Sequence, residues 1–96
     1  MNFAVVEAME PAELLLNMVK ALVDHPNDVR VYEANTPDGL ILELDLHPDD
    51  WGQILGRRGG IANNIRKVLW AVGGKLEQRI TLKIPDKDQR KKRRPK

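Results

Sequence analysis

Apolar residues near the start of the chain recur at the spacing of an α-helix. They are Leu15, Met18, Val19 and Leu22. Pro11 is typical of a first helical position, and Glu13 places a carboxylate near the positive end of the helix dipole. The Asp24-His25-Pro26 sequence ends the pattern, because the residue before a proline avoids helical backbone. The spacing therefore predicts helix A over about residues 11–24.

Alternation of apolar and polar residues predicts three strands. Residues 29–33 alternate, Thr36-Pro37-Asp38-Gly39 has the chemistry of a tight turn, and residues 40–46 alternate again. These three segments predict a β-hairpin. Residues 79–84 alternate once more before Pro85 and predict the last strand.

The middle of the chain predicts two helices separated by glycines. His47-Pro48-Asp49-Asp50 is typical of a helix start, and a short helix B then runs through residues 51–55 until Gly56 breaks it. After Gly59-Gly60, apolar residues follow at i, i+4, i+7, i+8 and i+11, and Gly73-Gly74 closes this helix C. The residues of this stripe are Ile61, Ile65, Val68, Leu69 and Val72.

The predicted element order is α-β-β-α-α-β, which belongs to the α+β class. Two helices between the last two strands give enough chain for a parallel crossover, so we expect a mixed three-stranded sheet with three helices on one face. The length allows one domain, residues 1–85, with its core in about 10–84. Residues 86–96 contain no apolar side chain that could join a core, and we predict a disordered basic tail.

Charge is divided unequally along the chain. Residues 1–50 hold two cations against eleven carboxylates, and residues 51–96 hold fourteen cations against three carboxylates. The formal charges of the halves are therefore −9 and +11. Such polarity is typical of a protein that binds a polyanion with one face, although solvated surface with a basic tail explains the same numbers.

Several function classes find no support in the sequence. The absence of cysteine excludes disulfides and thiolate metal sites, and neither a signal peptide nor a long apolar run is present, so we expect a soluble cytoplasmic protein without membrane contact. No nucleophile-base set or Walker-type loop appears, which predicts a non-catalytic protein. His25 and His47 each precede a proline and are interpreted as helix-boundary residues, with no metal or cofactor expected.

The Gly56-Arg57-Arg58-Gly59 sequence is the most informative motif. Two glycines three residues apart let the backbone turn sharply between helices, so that backbone N–H groups and the start of helix C can approach a phosphate. The two arginines add donors that match phosphate oxygens. A helix-helix turn with solvated arginines is the alternative for an isolated motif of this kind.

In its context, this motif resembles the signature loop of the KH domain in its type II ordering. The resemblance tightens to the bacterial KhpA family of small stand-alone KH proteins, through residues 21–31, the segment 50–59 and the positions Ile61-Ala62 and Ile65-Arg66. It implies binding of single-stranded RNA, with about four unpaired nucleotides beside the loop, and a chaperone-like or post-transcriptional role. It also implies pairing with the related KH protein KhpB, also called Jag, while a homodimer is an alternative. The Arg57-Arg58 pair departs from the common pattern of one basic residue and one small or polar residue.

The resemblance, taken position by position, assigns roles to particular residues. The loop grips the backbone, hydrophobic residues flank a groove, Gly52 lets nucleotides lie close to helix B, and cations on helix C extend the phosphate track. These predicted RNA-binding residues are Gly52, Ile54, Leu55, Gly56, Arg57, Arg58, Gly59, Gly60, Ile61, Ala62, Arg66 and Lys67. Asn63 and Asn64 lie on or near the same polar side of helix C and are as consistent with a solvated face.

The two tryptophans receive different predictions. Trp51 shares helical spacing with Ile54 and Leu55 and is predicted to be buried. Trp70 points away from the apolar stripe of helix C, beside Arg66 and Lys67, and is predicted to be exposed unless a partner covers it. Base stacking is an alternative to packing for both residues.

Two other functions remain open at this point. Helix C could enter a DNA major groove as part of a helix-turn-helix, with Asn63, Arg66 and Lys67 facing bases. Alternatively, Trp70 and its neighbours could form a dimer surface in a protein-interaction module, with RNA binding incidental.

Overall fold

The computed structural model of the chain describes residues 10–85, except for the side chain of Arg57. Within this range, α1 spans Pro11–Lys20, β1 Arg30–Thr36, β2 Gly39–Asp45, α2 Trp51–Leu76 and β3 Ile80–Lys83. Short 3-10 turns at Pro26–Asp28 and Pro48–Asp50 precede β1 and α2. The predicted basic tail, residues 86–96, lies outside the described residues. None of the helices in residues 10–85 has the length and apolar content that crossing a membrane requires.

Helix α1 begins as predicted and ends earlier. Its buried residues Pro11, Leu15 and Val19 repeat every four positions and face the core. The helix ends at Lys20 rather than at residue 24, because the backbone amides of Asp24 and His25 donate hydrogen bonds to the side chain of Asp50. This contact across the fold replaces the last helical turn.

The sheet has the order β1-β2-β3. Strand β1 pairs antiparallel with β2 through a two-residue loop, and β3 pairs parallel with β2. The Thr36 hydroxyl closes the hairpin, since it donates to the Gly39 carbonyl at 2.8 Å and accepts from the Asp38 amide at 3.2 Å. The hairpin and the parallel crossover were both predicted, and β1 extends three residues beyond the predicted strand.

Helix α2 contains both of the predicted central helices. Its hydrogen-bonded run from Trp51 to Leu76 passes through Arg58 and Gly59, whose φ angles of 62° and 72° are left-handed. A right-handed helix cannot continue through such residues. The chain therefore changes direction at the Gly56–Gly59 loop, which confirms the α-β-β-α-α-β order with a tighter junction than the sequence suggested.

The end of α2 differs from the predicted glycine stop. The helix continues to Leu76, and Glu77 adopts the left-handed cap conformation with φ of 56°. Gly73 is needed for another reason, because a β-carbon there would clash with the carbonyl oxygen of Gln78 and press on Ile80. The returning chain thus packs directly on the backbone of α2 and brings β3 beside it.

One hydrophobic core lies between the helices and one face of the sheet. Leu40, Leu42 and Leu44 of β2 alternate toward the helices. The buried core residues are Leu15, Val19, Val29, Leu40, Leu42, Leu44, Leu46, Trp51, Ile54, Ala62, Ile65, Leu69, Ile80 and Leu82. Trp51 is 5% exposed, which confirms the prediction that it is buried.

Candidate nucleic-acid interface

The Gly56–Gly59 loop presents its backbone and one described arginine to solvent. A β-carbon at Gly56 or Gly60 would meet no described atom from beyond the adjoining helix backbone within 4 Å, so there is open space beside both positions. Arg58 is exposed, and its left-handed backbone lies at the tip of the turn. An incoming phosphate can reach both the arginine and the start of the second helical segment.

A cleft of about 460 Å³ adjoins this loop. It lies between the two segments of α2, and we name it the loop cleft; its lining is Gly52, Gln53, Gly56, Gly60, Ile61 and Asn64. Four of the predicted contact residues meet here, namely Gly52, Gly56, Gly60 and Ile61. Because glycines supply half of the lining, a ligand can approach the helix backbone closely.

Two predicted groove residues lie elsewhere. Ile54 and Ala62 are 0% exposed and belong to the core, so their side chains support the loop from beneath and do not line an open groove. Both residues follow the helical spacing of the buried stripe. Helical spacing identifies apolar positions, but it does not distinguish a residue of the core from one that lines a groove beside the core. Leu55 is half-buried and packs against the core.

A second cleft, of about 250 Å³, lies between α2 and β3. We name it the strand cleft; its lining is Arg66, Lys67, Trp70, Ile80, Thr81 and Leu82. The predicted phosphate-track residues Arg66 and Lys67 both lie here. Asn63 connects this cleft toward the loop, since its Oδ1 accepts a hydrogen bond from Arg66 Nη1 at 3.2 Å and its Nδ2 lies 3.9 Å from a β-carbon built on Gly59.

A buried carboxylate holds the start of α2 in place. Asp50 is 1% exposed and accepts hydrogen bonds from the amides of Asp24 and His25, at 3.3 and 3.1 Å, and from His25 Nδ1 at 3.2 Å. Burial opposes ionisation of this carboxyl, but the His25 ring and the two amides outweigh burial and lower the pKa of Asp50. Asp50 therefore occupies the N-cap position of α2 without capping it, because its side chain accepts from the amides of Asp24 and His25 and from no amide of α2.

The two histidines stack on each other at this corner. The His25 and His47 rings lie 3.8 Å apart at an interplanar angle of 11°, and His47 Nδ1 accepts the amide of Asp49 at 3.1 Å. Ligand atoms of His25, His47 and Asp49 all fall within 4.8 Å of one another. Imidazole lone pairs lie in the ring plane, so rings stacked in parallel cannot direct both lone pairs at one ion. The cluster fastens the chain before β1 to the start of α2.

Sequence reasoning missed this cluster. The repeated His-Pro pair at residues 25–26 and 47–48 was the available signal, but each pair alone is explained by a helix boundary. Only the fold brings residues 25 and 50 into contact.

The element order α-β-β-α-α-β, with helices on one face of a three-stranded sheet and a GxxG turn joining the last two helical segments beside an open cleft, defines the KH class of nucleic-acid-binding domain. The chain matches the family model described as KhpA/KhpB, KH domain, over residues 12–84. It belongs to the KhpA/KhpB KH-domain family.

Curated relatives agree with this assignment. The chain is 42% identical over 73 residues to the RNA-binding protein KhpA of Halalkalibacterium halodurans, an overlap covering 76% of this chain and 96% of the relative. It is 44% identical over 63 residues to RNA-binding protein KhpA of Streptomyces coelicolor, covering 66% and 80% of the two chains. For RNA-binding protein KhpA of Bacillus subtilis the identity is 34% over 74 residues, covering 77% and 91%. No solved structure matches the chain significantly.

Proposed function

We propose that this chain is a non-catalytic single-stranded RNA-binding protein whose Gly56–Gly59 loop grips the sugar-phosphate backbone. The observation that carries the proposal is the left-handed turn at Arg58 and Gly59, which exposes backbone and arginine together beside the loop cleft. The printed names of the KhpA relatives support it. A module that holds unpaired strands by their backbone suits a chaperone or a post-transcriptional regulator of RNA.

The geometry gives less support to duplex DNA binding through the second segment of α2. Arg66 is engaged with Asn63, and both Arg66 and Lys67 line a cleft against β3. A recognition helix must project into the major groove without a strand at its contact face. Competition between labelled single-stranded RNA and duplex DNA separates the two functions.

Reversing the loop charges tests the proposal. We expect the double substitution Arg57→Asp and Arg58→Asp to weaken binding of an RNA oligonucleotide by about 100-fold or more, since two charge-assisted contacts at about 1.5 kcal/mol each are lost. The fold should persist, because aspartate tolerates left-handed backbone better than most residues. Fluorescence anisotropy measures affinity, and circular dichroism with thermal melting measures folding.

The matched control is Lys20→Asp with Arg30→Asp. It makes the same change in net charge at two exposed cations on α1 and β1, away from the loop. We expect a much smaller loss of affinity from this control. Equal losses in the two double variants, or unchanged affinity in the folded loop variant, would show that the loop is not a phosphate grip.

We also propose that the chain pairs through α2, with a second copy of itself or with the related KH protein KhpB. Large apolar side chains on the second half of α2 support this proposal, since Val68 and Leu76 are 42% and 51% exposed. The family model, which covers KhpA and KhpB together, is consistent with two related domains of one shape.

A further inference from the structure

Trp70 has the largest exposed fraction among the exposed large hydrophobic residues in the described part of the chain, at 77%. The other tryptophan, Trp51, is 5% exposed and belongs to the core. An indole left in water is costly to a folded protein and favours a partner that can cover it. The partner must suit the chemistry of the strand cleft, in which the ring lies.

That chemistry is cationic and aromatic. Arg66 and Lys67 stand beside Trp70 on α2, and Ile80, Thr81 and Leu82 of β3 form the opposite wall. None of the residues in the described part of the chain that line the cleft is a carboxylate. An aromatic plane with adjacent cations fits an unpaired nucleotide, because the base stacks on the ring while the cations face its phosphates.

The ring also lies in line with the loop. Gly59, Asn63, Arg66 and Trp70 are separated by four, three and four residues, so they share one face of the second segment of α2. The Asn63–Arg66 hydrogen bond lies on this face between the two ends. At a rise of about 1.5 Å per residue, Trp70 is roughly 16 Å from Gly59 along the helix. A strand held at the loop can follow this face to the ring.

A second copy of the chain fits the cleft less well. In a two-fold symmetric dimer, the same surface patch of each protomer faces its counterpart. Self-pairing centred on Trp70 would therefore bring Arg66 and Lys67 of the two protomers close together. Like charges in close contact oppose such pairing. Val68, two residues from Trp70, points to nearly the opposite side of the helix at about 100° per residue. Pairing centred on Val68 leaves the strand cleft open.

We propose that Trp70 is a base-stacking platform for one unpaired nucleotide of the RNA, with Arg66 and Lys67 holding the adjacent phosphates. This inference rests on the proposed RNA binding through the Gly56–Gly59 loop. It extends the RNA path beyond the loop, to a nucleotide that a short oligonucleotide at the loop does not supply.

The test compares ring chemistry at one position, in the full-length protein. The variants are Trp70→Phe, Trp70→Leu and Trp70→Ala, with Val68→Ala as the control on the other side of the helix. Affinities for labelled oligonucleotides of about four and about eight nucleotides, in adenine and uracil forms, are measured by anisotropy. Light scattering measures the mass of each protein without RNA.

We expect Trp70→Leu and Trp70→Ala to weaken binding of the longer RNA by about 5- to 150-fold, with the larger losses for adenine, which stacks more strongly. Trp70→Phe should retain most of the affinity. The short RNA should bind all variants equally, and Val68→Ala should bind both RNAs as the parent does. Quenching of tryptophan fluorescence by the longer RNA should disappear in Trp70→Phe.

Two results would overturn the platform. If Trp70→Leu binds the longer RNA as tightly as the parent, the ring does not stack on a base. If the parent protein forms oligomers at high concentration and the Trp70 variants do not, while RNA affinity is unchanged, the ring belongs to a protein interface. Failure of the underlying RNA proposal is distinguishable, because the parent protein would then bind neither RNA or the Arg57 and Arg58 double variant would bind as well as the parent.

Discussion

At the scale of single residues, Asp50 shows how a polar side chain can determine local geometry far from its place in the sequence. Its carboxylate stops α1 by taking the amides of Asp24 and His25, and it fixes the start of α2 at the same time. The sequence indicated a helix start here, which the structure has. The direction of the side chain was not predictable, because it depends on residues that only the fold places nearby.

Stability should depend on the ionised form of Asp50. Its pKa is lower in the folded protein than the ordinary value of 3.8, so the stabilisation is complete above that ordinary value and is lost as the pH falls through the folded-state pKa. We expect Asp50→Asn to lower the free energy of unfolding at pH 7 by about 1–3 kcal/mol, since a buried acceptor of three hydrogen bonds is weakened. The difference from the parent should shrink below about pH 4.

Urea denaturation at pH 7, 5 and 3.5 measures this difference. The neighbouring substitution Asp49→Asn is the control, because that side chain is 80% exposed and should change stability by less than about 0.5 kcal/mol. Equal stability of Asp50→Asn and the parent protein at pH 7 would mean that the Asp50–His25 contact does not stabilise the fold.

At the scale of elements, the sequence predicted the type and order of the helices and strands well, but it predicted the residues at which the helices end poorly. The alternating leucines of β2 and the apolar stripe of the second α2 segment follow simple periods, and both were identified. The ends of α1 and α2 depend on contacts with other elements, namely Asp50 for α1 and the returning chain at Gln78 for α2. Periodicity contains no information about such contacts.

The two adjacent glycines near the end of α2 allow a direct test of this account. Gly73→Ala should lower the free energy of unfolding by about 1–3 kcal/mol, because the new β-carbon would clash with the Gln78 carbonyl and force β3 away from the helix. Gly74→Ala meets no atom within 4 Å and should raise it by about 0.5–1 kcal/mol, since alanine favours helix. Thermal and urea denaturation measure the change in the free energy of unfolding for both variants. A change of the same sign in both variants would contradict the packing of the returning chain on Gly73.

At the scale of the whole molecule, positive charge is concentrated in the part of the chain that forms α2 and β3. Between residues 51 and 85, the chain carries seven cations against Glu77, while residues 10–50 carry Lys20 and Arg30 against ten carboxylates. The cationic part contains the loop and both clefts. The charge asymmetry was visible in the sequence, and the assignment of its positive part to α2 and β3 required the fold. From their charge alone, we predict that residues 86–96 add to RNA affinity without discriminating between sequences.

Pairing should respond to a different side of α2 than RNA binding does. We expect Val68→Asp to reduce self-association, because a carboxylate replaces an exposed apolar side chain on the side opposite Trp70. Its RNA affinity should fall by no more than about twofold, in keeping with a single screened charge. Light scattering across a concentration series, from tens of micromolar to about one millimolar, gives the mass, and purification of the complex from cells identifies a KH partner. A monomeric parent at every concentration, with no KH partner recovered, would contradict the pairing proposal.

The parallel pairing of β2 with β3 has a consequence for the order of folding. Leu40 and Ile80 are partners in the sheet although 40 residues separate them, whereas the β1–β2 hairpin closes locally. A hairpin forms in about 1–10 μs, but the non-local pairing must first close a loop that contains all of α2. The Gly56–Gly59 turn lies within that loop, so during synthesis the hairpin can form before either cleft has both of its walls. We therefore expect the strand cleft to gain its second wall only when the last strand docks, whereas every residue that lines the loop cleft belongs to α2.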